Sequence, residues 1–423
     1  MIEVANMHSL RSDIDNSAIL YLALIRKDHT NIFRFTLTMS ETIDPALLQK
    51  AVDRVHKRFP MIFAGFRPGF FKYTQVQADM PPQVKSDPGC LITMTREEIA
   101  RCAYRVYYKE RNIIIEGFHA LSDGYGIAAS FSTLAGEYLR LRYGIDIPDS
   151  YPVLSCDAEP KEEELEDSYL KYADAKPLHM PSRYSYQLPG KEASHDMIHE
   201  APMYLPLADV LGASRRYGVS MTALLSAVMA SSVMEVQKIS YSGKKRPVRI
   251  MVPIDLRRIF PSQTLRNFIL YALPTMEPEE SDLSLQELAE KFSVQIKSHL
   301  QKENLAGIIS YNVKTQNAPL FKVLPSKLKS GLMRLAYRFF GESNSSITFT
   351  NLGNIALPEV MVPYVESICL TMTPRARSPY NCGMLTYNGQ FLINICRFPE
   401  ASLLEKLFYE KLQNILYGGE NNP

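Results

Sequence analysis

The stretch EGFHALSDGYG, residues 116–126, holds a histidine at the end of an apolar run and an Asp-Gly pair four residues later. Residues 112–118 have the apolar character of a strand, and apolar residues then recur at three- and four-residue steps up to Gly144, which predicts a helix. His119 therefore lies between a predicted strand and a predicted helix. With an ordinary pKa of ~6.5 an imidazole there suits proton transfer near neutral pH, although a lone histidine is more often a packed or solvated residue.

Length and charge predict two domains and a small-molecule partner. A chain of 423 residues with 46% hydrophobic residues exceeds the ~250–300 residues at which single cores stop growing. Lys+Arg 47 against Asp+Glu 45 leaves a net charge of only +2, without the basic excess of a nucleic-acid binder. We therefore expect no nucleic-acid partner.

Cysteine usage and hydropathy predict a soluble, cytoplasmic protein. The six cysteines show no C-x-x-C spacing, which argues against a zinc site or a disulfide framework and fits a reducing compartment. The apolar run of residues 18–25 is far shorter than the ~20 residues of a membrane helix, and it lacks the features of a signal peptide. No membrane span is expected.

Both halves of the chain mix predicted strands with amphipathic helices. NIFRFTLTMS, residues 31–40, alternates like a half-buried strand, and Asp44-Pro45 then begins a helix. Further along, Ser220 caps a long helix, RPVRIMVPIDLRR (residues 246–258) has the pattern of a strand, and Asn388-Gly389 indicates a hairpin turn. Strands and helices of this kind in both halves predict two α/β domains.

A change of composition separates the two halves. From residue 148 the chain becomes acidic in CDAEPKEEELEDSYL, residues 156–170, and then rich in proline and tyrosine without a clear period. We interpret the acidic run as a solvated linker. The predicted domains are residues 1–175, which contain His119, and residues 176–423.

Other catalytic motifs are weaker or absent. Gly124-x-Gly126-x-x-Ala129 is similar to a dinucleotide-binding fingerprint, with Asp146 near the place of a ribose carboxylate, but the predicted strand ends too far before the glycines. Ser122 has no G-x-S-x-G around it, and no Walker A loop occurs. We interpret Ser122 and Gly126 as ordinary loop and helix-start residues.

A metal site is also a weaker hypothesis. His195 and His199 in SHDMIHE could share one face of a helix, but no third ligand with a known spacing is evident. We interpret both as solvated histidines and predict no bound metal.

Four stretches of the chain resemble one known family. HALSDG, residues 119–124, matches the H-x-x-x-D-G signature of the chloramphenicol-acetyltransferase-like superfamily, which includes condensation domains and alcohol acetyltransferases. ALLQKAVDRVHKRFPMIFAGF (46–66), VPIDLRRIFPSQTLRNF (252–268) and FTNLGN (349–354) are similar to the family's early helix, its Asp-x-Arg segment and its later Asn-x-Gly strand end. The chain most resembles the bacterial alcohol-acetyltransferase-like branch.

The resemblance implies a fold and a role for each motif residue. The implied fold is α/β (α+β), with two chloramphenicol-acetyltransferase-like domains, each a mixed sheet with helices, that form a pseudo-dimer with a tunnel between them. It implies that His119 in the tunnel is the general base, that Asp123 pairs with Arg257 to hold the loop, and that Gly124 leaves room beside the histidine. The donors available for a developing oxyanion or in the tunnel are Asn267, Thr350 and Asn351.

The implied reaction moves an acyl group from acyl-CoA, as co-substrate, to an alcohol or amine, with no bound cofactor. The chain has no tryptophan and carries Thr350-Asn351-Leu352-Gly353 where plant members have Asp-Phe-Gly-Trp-Gly, which argues against plant-type substrates. Phe118 replaces the first of two successive histidines common in condensation domains, which weakens peptide-bond formation. Two alternatives stay open, namely a condensation enzyme that takes its acyl group from a carrier protein docked at Lys244, Lys245 and Arg246, and a binding or scaffold protein without catalysis.

Overall fold

The computed structural model describes residues 10–25, 30–190, 198–375, 378–400 and 402–418. Its strands are, in chain order, β1 (Arg11–Asp13), β2 (Ile32–Met39), β3 (Ala64–Pro68), β4 (Tyr73–Gln77), β5 (Lys85–Ser86), β6 (Tyr104–Lys109), β7 (Asn112–Phe118), β8 (His199–Pro206), β9 (Val248–Asp255), β10 (Ile269–Ala272), β11 (Thr275–Met276), β12 (Ile347–Asn354), β13 (Val365–Met372), β14 (Tyr380–Tyr387) and β15 (Gln390–Arg397). They form two large sheets and a small one of β1, β4 and β3.

The helices lie between and around these strands. In chain order they are α1 (Asn16–Ala23), α2 (Pro45–Arg58), α3 (Arg96–Arg101), α4 (Gly124–Tyr143), α5 (Glu162–Leu165), α6 (Ser168–Lys171), α7 (Leu207–Arg216), α8 (Met221–Ser240), α9 (Leu285–His299), α10 (Lys302–Gln316), α11 (Pro319–Val323), α12 (Ser326–Ala336) and α13 (Leu403–Tyr417). The mixture of helices and strands confirms the predicted α/β class.

The first sheet places His119 at the end of one of its central strands. Its order is β13-β2-β7-β6-β5, and β7 runs antiparallel to both neighbours. In the register of β2 with β7, Phe33 lies opposite Gly117. α2 begins where the sequence predicts, because the Asp44 carboxylate accepts hydrogen bonds from the backbone N–H groups of Ala46 and Leu47. α2 and α4 pack against each other, and both contribute to the core on this sheet.

The second sheet has the order β10-β9-β12-β14-β15-β8, with β11 paired to β9. β12 runs parallel to β9 and β14, and the remaining pairs are antiparallel, so the sheet is mixed. The predicted hairpin is confirmed: Asn388 and Gly389 join β14 to β15 with φ values of 45° and 75°, as a type I′ turn requires. Helices α8, α9 and α13 contribute apolar side chains to the core on this sheet.

Two hydrophobic cores form, one around each sheet, and one strand joins the opposite half of the chain. β13 lies late in the sequence but pairs antiparallel with β2, where Cys369 lies opposite Thr36, and so becomes an edge of the first sheet. The first sheet is therefore completed by the C-terminal half. The domain boundary after residue 175 stays a prediction.

The interpretation of the acidic run as a solvated linker is wrong for its central part. Glu164 is buried and receives two hydrogen bonds, of 2.6 and 2.8 Å, from the guanidinium of Arg58 at the end of α2. The carbonyl oxygen of Glu164 accepts a hydrogen bond of 2.8 Å from the backbone N–H of Leu265. The run therefore ties the first core to the segment that precedes β10.

Within the described part of the chain, no single helix combines the length and apolar character needed to cross a bilayer. α7 and α8 satisfy both conditions only when taken together, and they meet at an 84° bend.

Candidate active site

His119 follows the last residue of β7 and lies against two aromatic rings. Its backbone N–H donates a hydrogen bond of 2.8 Å to the carbonyl oxygen of Asn31, which extends the pairing of β7 with the chain before β2. The Tyr21 ring of α1 stacks on the imidazole with centroids 4.4 Å apart and planes 19° apart. The Phe33 ring meets the imidazole edge-on at 5.4 Å. The strand end and two rings together fix the position and tilt of the imidazole.

The surroundings of His119 favour its neutral form. The side chain is partly exposed, whereas its Nδ1 atom is buried and makes no well-formed hydrogen bond with any residue that the structure describes. Burial lowers the pKa of His119 below its ordinary 6.5, although its own backbone, Asp123 and Asn267 act in the opposite direction. A neutral imidazole can accept a proton at neutral pH.

Asp123 holds the loop after His119 through three kinds of contact. Its carboxylate caps α4 by accepting a hydrogen bond of 3.1 Å from the backbone N–H of Tyr125. It accepts another, of 2.8 Å, from the backbone N–H of Phe268. Two guanidinium nitrogens of Arg257 donate to it at 2.9 and 3.2 Å. The ion pair that the resemblance implies is thus present, and both side chains are almost fully buried.

Arg257 connects this loop to the second sheet. It lies in a short 3-10 turn, Leu256–Arg258, directly after β9, and it also bonds Asp255 at 2.9 Å and the carbonyl oxygens of Thr264 and Arg266 at 2.9 and 2.6 Å. All the polar hydrogens that these bonds use belong to one planar guanidinium. Arg257 is therefore a rigid link between the His119 loop and the chain leading to β10.

Gly124 and Gly126 both lie too close to other parts of the chain to carry a side chain, and the neighbouring atoms differ. A Cβ atom on Gly124 would overlap the end of the Leu352 side chain in β12. A Cβ atom on Gly126 would overlap the backbone carbonyl oxygen of Leu265, to which the hydroxyl of Ser122 also donates a hydrogen bond. The interpretation of Ser122 and Gly126 as ordinary residues is therefore wrong, because both lie where the two halves of the chain meet.

Alanine at these two glycines should have different consequences. We expect Gly126→Ala to lower the free energy of unfolding by ~1–3 kcal/mol or more, because a carbonyl of the main chain cannot move aside. Gly124→Ala should cost less, and Leu352→Ala in the same chain should restore part of the loss. Chemical denaturation of the single and double variants measures both effects. Rescue of Gly126→Ala by Leu352→Ala, or equal losses for the two glycines, would contradict this explanation.

The three oxyanion candidates lie in two places. Asn267 is buried close to the histidine, where its amide nitrogen approaches the carbonyl oxygen of Ala120 at 3.3 Å and the carboxylate of Asp15 at 3.4 Å. Thr350 and Asn351 lie in β12, just before the Leu352 side chain that covers Gly124. The Asn351 side-chain oxygen accepts a hydrogen bond from the backbone N–H of Gly353. The role of each as a donor stays a prediction.

Tyr21 of α1 and Asp15, the residue that caps this helix, belong to the site although the sequence patterns did not connect them to His119. Tyr21 stacks on His119, and Asp15 caps the helix by accepting a hydrogen bond of 2.8 Å from the backbone N–H of Ala18. Burial raises the pKa of Asp15 to about 6, although the guanidinium of Arg266 acts in the opposite direction. An aspartate before an apolar stretch is a helix-start signal, so the sequence does indicate Asp15 as the cap of α1. Nothing local connects either residue to His119.

The alternative sites find no support in the geometry. β7 is antiparallel to both of its neighbours, whereas a dinucleotide fingerprint needs a parallel strand-helix-strand unit. His199 begins the strand β8 instead of lying on a helix, and His195 is outside the described residues. The described ranges contain no group of three or more His, Cys, Asp or Glu side chains arranged to hold a metal ion.

Solved structures of similar fold cover almost the whole chain. Polyketide synthase associated protein 5 from Mycobacterium tuberculosis is 13% identical, with a TM-score of 0.61 over 96% of this chain and 98% of that one. F. graminearum TRI101, complexed with coenzyme A and deoxynivalenol, is 11% identical, with a TM-score of 0.61 over 95% and 97%. The wax ester synthase/diacylglycerol acyltransferase from Marinobacter aquaeolei VT8 is 13% identical, with a TM-score of 0.55 over 96% and 98%.

Sequence comparison alone finds no relative, since no family model and no curated protein matches the chain. The structural likeness shows that this chain has the two-part fold shared by chloramphenicol-acetyltransferase-like acyltransferases and condensation-type domains. The predicted α/β pseudo-dimer fold is thereby confirmed, whereas the tunnel between its two domains stays a prediction.

Proposed function

We propose that this protein is an acyltransferase that moves an acyl group from acyl-CoA to an alcohol or amine, with His119 as general base. The observation that supports this most is the state of the histidine, which is partly exposed, held between two rings and kept neutral by burial. A residue that served only to fill the core would have no reason to be both accessible and rigidly oriented. The solved structures of the same fold include acyltransferases by name, which supports the reaction class.

The proposed reaction uses His119 as the one base that serves both the acceptor and the thioester. The imidazole accepts the proton of the acceptor O–H or N–H as its oxygen or nitrogen attacks the thioester carbonyl carbon. The carbonyl oxygen gains negative charge and needs a nearby donor, for which Asn267, Thr350 and Asn351 are the candidates. As the C–S bond breaks, the imidazolium returns the proton to the leaving thiolate, so the enzyme ends in its starting state.

Coenzyme A is the donor proposed, in a cytoplasmic setting. TRI101 was solved with coenzyme A bound, and the described cysteines of this chain are all free thiols, as in a reducing compartment. An alcohol acceptor is favoured over an amine by Phe118, which stands where condensation domains often carry the first of two successive histidines. The absence of tryptophan further separates the chain from plant-type enzymes.

The test is a search for release of free CoA. Acetyl-CoA and longer acyl-CoAs are incubated with pooled alcohols and pooled amines, and the thiol formed is measured with the His119→Ala protein as the blank. Release above the blank that depends on an acceptor supports the proposal. No acceptor-dependent release with any acyl chain would overturn it.

The pH dependence provides a second check. Because protonated imidazole cannot accept a proton, kcat/KM should rise with pH through the pKa of His119 and level off above it. Burial lowers that pKa, so the midpoint should lie below 6.5. Burial also raises the pKa of nearby Asp15 to about 6, and Asp15→Asn should leave the rising limb in place if His119 is the base. A midpoint above 6.5, or a limb that disappears in Asp15→Asn, would contradict this assignment.

An acyl carrier protein is the alternative donor, supported by the likeness to a polyketide synthase associated protein. The loop proposed for its docking, residues 244–246, makes contacts with other parts of this protein. Lys245 donates to the carbonyl oxygens of Gln237 and Tyr241 at 3.1 and 2.8 Å, and the Arg246 guanidinium lies 4.0 Å from the centre of the Tyr184 ring. These contacts favour a structural role for the loop, so acyl-CoA remains the donor we propose.

A further inference from the structure

Helix α12 presents a row of leucines to solvent. Leu328, Leu332 and Leu335 are 51%, 47% and 54% exposed, and their spacing of four and three residues places them on one face of the helix. A surface helix of a folded protein normally turns such a row toward the core. Val323, in the preceding helix α11, is 64% exposed.

Two phenylalanines extend this apolar surface. Phe70 and Phe71, in the turn between β3 and β4, are 71% and 50% exposed and pack edge to face at 4.7 Å. The turn is fastened to the start of α12, because Ser326 donates from its backbone N–H to the Phe70 carbonyl oxygen and from its hydroxyl to that of Gly69, both at 2.7 Å. We call the six side chains the apolar face: Phe70, Phe71, Val323, Leu328, Leu332 and Leu335.

Positive charge predominates in the segment that carries four of these six side chains. Residues 304–341 contain no Asp or Glu but six cationic residues, Lys314, Lys322, Lys327, Lys329, Arg334 and Arg338, although the whole chain has a net charge of only +2. Two acidic residues on or just after the strands of the neighbouring small sheet are already paired, Asp13 with Lys72 and Asp79 with Arg67. The surface therefore combines exposed apolar side chains with an excess of cationic residues.

We propose that the apolar face binds the surface of an anionic lipid bilayer. A basic amphipathic helix with leucine and phenylalanine on its apolar side lies in the plane of the lipid headgroups, with the apolar side chains below them and the cations among the phosphates. α12 has 11 residues and a length of about 16 Å at 1.5 Å per residue, so it lies on a bilayer and does not cross it. The joint presence of apolar and cationic side chains fits lipid better than an acidic protein, which would not need so many exposed leucines and phenylalanines.

The position of this face relates it to the candidate active site. α12 packs on α1, where Arg334 donates a hydrogen bond of 2.5 Å to the carbonyl oxygen of Ala23, and α1 carries the Tyr21 ring that stacks on His119. Only one helix therefore separates the bilayer from the histidine. If the function proposed above holds, on which this step rests, the acceptor is a lipid-soluble alcohol taken from the bilayer.

The absence of tryptophan makes a direct test possible. Leu332→Trp introduces one fluorophore on the apolar face, and Val294→Trp introduces one on α9, where the native side chain is also exposed, at 68%. With phosphatidylglycerol vesicles we expect a blue shift of the emission in Leu332→Trp and none in Val294→Trp. No shift in Leu332→Trp, or the same shift in both proteins, would overturn the proposal.

Cosedimentation with vesicles separates the apolar and the charged contributions. Glutamine at Leu328, Leu332 and Leu335 should weaken vesicle binding at least about 10-fold, and so should glutamate at Lys322, Lys327 and Arg338. Ile239→Gln with Val294→Gln, which removes exposed apolar residues elsewhere, is the matched control and should bind like the parent protein. Unchanged vesicle binding in either test variant would contradict a lipid surface. So would a parent protein that does not bind vesicles but forms a dimer that the leucine substitutions dissociate.

Turnover measurements distinguish this inference from the proposed function. A short water-soluble alcohol and a long-chain alcohol dissolved in the vesicles are compared as acceptors. Loss of turnover with the long-chain alcohol alone in the leucine variant is the expected result. Equal turnover of the parent protein and the leucine variant with each of the two alcohols overturns the lipid-acceptor step. No turnover with any acceptor, in a protein that does bind vesicles, overturns only the acyltransferase proposal.

Discussion

Alanine in place of His119 is expected to lower kcat for acyl transfer by ~10²–10⁴-fold, the usual range for removal of a general base. The imidazole is the one group at the junction of strand β7 and helix α4 that is at once partly exposed, oriented by two rings and kept neutral by burial. KM should change much less than kcat, because the base acts on the proton that moves in the transition state. Steady-state measurements with the best acceptor from the CoA-release search provide the comparison.

A second substitution separates loss of the base from loss of packing. Alanine leaves a void beside Tyr21 and Phe33, whereas His119→Gln keeps most of the volume and a polar end but cannot take up a proton. Both variants should therefore lose similar amounts of activity, while the glutamine variant should keep more of the thermal stability. Activity within a few fold of the parent in a folded glutamine variant would show that His119 is not the base.

Prediction of the fold from sequence succeeded where the signal is local. The Asp44-Pro45 cap of α2, the Ser220 cap of α8 and the Asn388-Gly389 turn each depend on backbone preferences of a few adjacent residues, and each was found in place. β13 shows the opposite case. Its apolar alternation predicts a strand, but its pairing with β2 depends on a long-range exchange that no local pattern encodes.

The site shows the same division. Family resemblance pointed to His119, Asp123 and Arg257, and the structure brings the last two together in a buried ion pair across 134 positions of sequence. It could not point to Tyr21, whose importance lies only in a ring that reaches the imidazole from another helix. Gly126 was misjudged for a related reason, since its need for space arises from a carbonyl group far along the chain.

The ion pair between Asp123 and Arg257 leads to the second large effect. Both side chains are almost fully buried, so removal of one partner leaves a charge without compensation, at a cost of ~3–5 kcal/mol in the free energy of unfolding. Arg257→Met should show this loss, because the Asp123 carboxylate then keeps only the backbone N–H groups of Tyr125 and Phe268 as hydrogen-bond donors. Asp123→Asn should show a smaller loss, because Arg257 then keeps Asp255 as a counter-charge. Chemical denaturation of each variant gives the values.

The double variant decides whether the two losses have one origin. If the pair acts as a unit, Asp123→Asn with Arg257→Met should cost less than the two single changes added, by ~0.5–3 kcal/mol. Arg58→Met serves as the matched control, because it breaks the buried pair with Glu164 and should lower stability without this coupling to Asp123. Asp123→Asn should also shift the pH midpoint of kcat/KM, since the carboxylate raises the pKa of His119, whereas Arg58→Met should leave that midpoint unchanged. Additive losses, together with an unshifted midpoint, would mean that Asp123 and Arg257 stabilise the loop independently and have no electrostatic influence on the histidine.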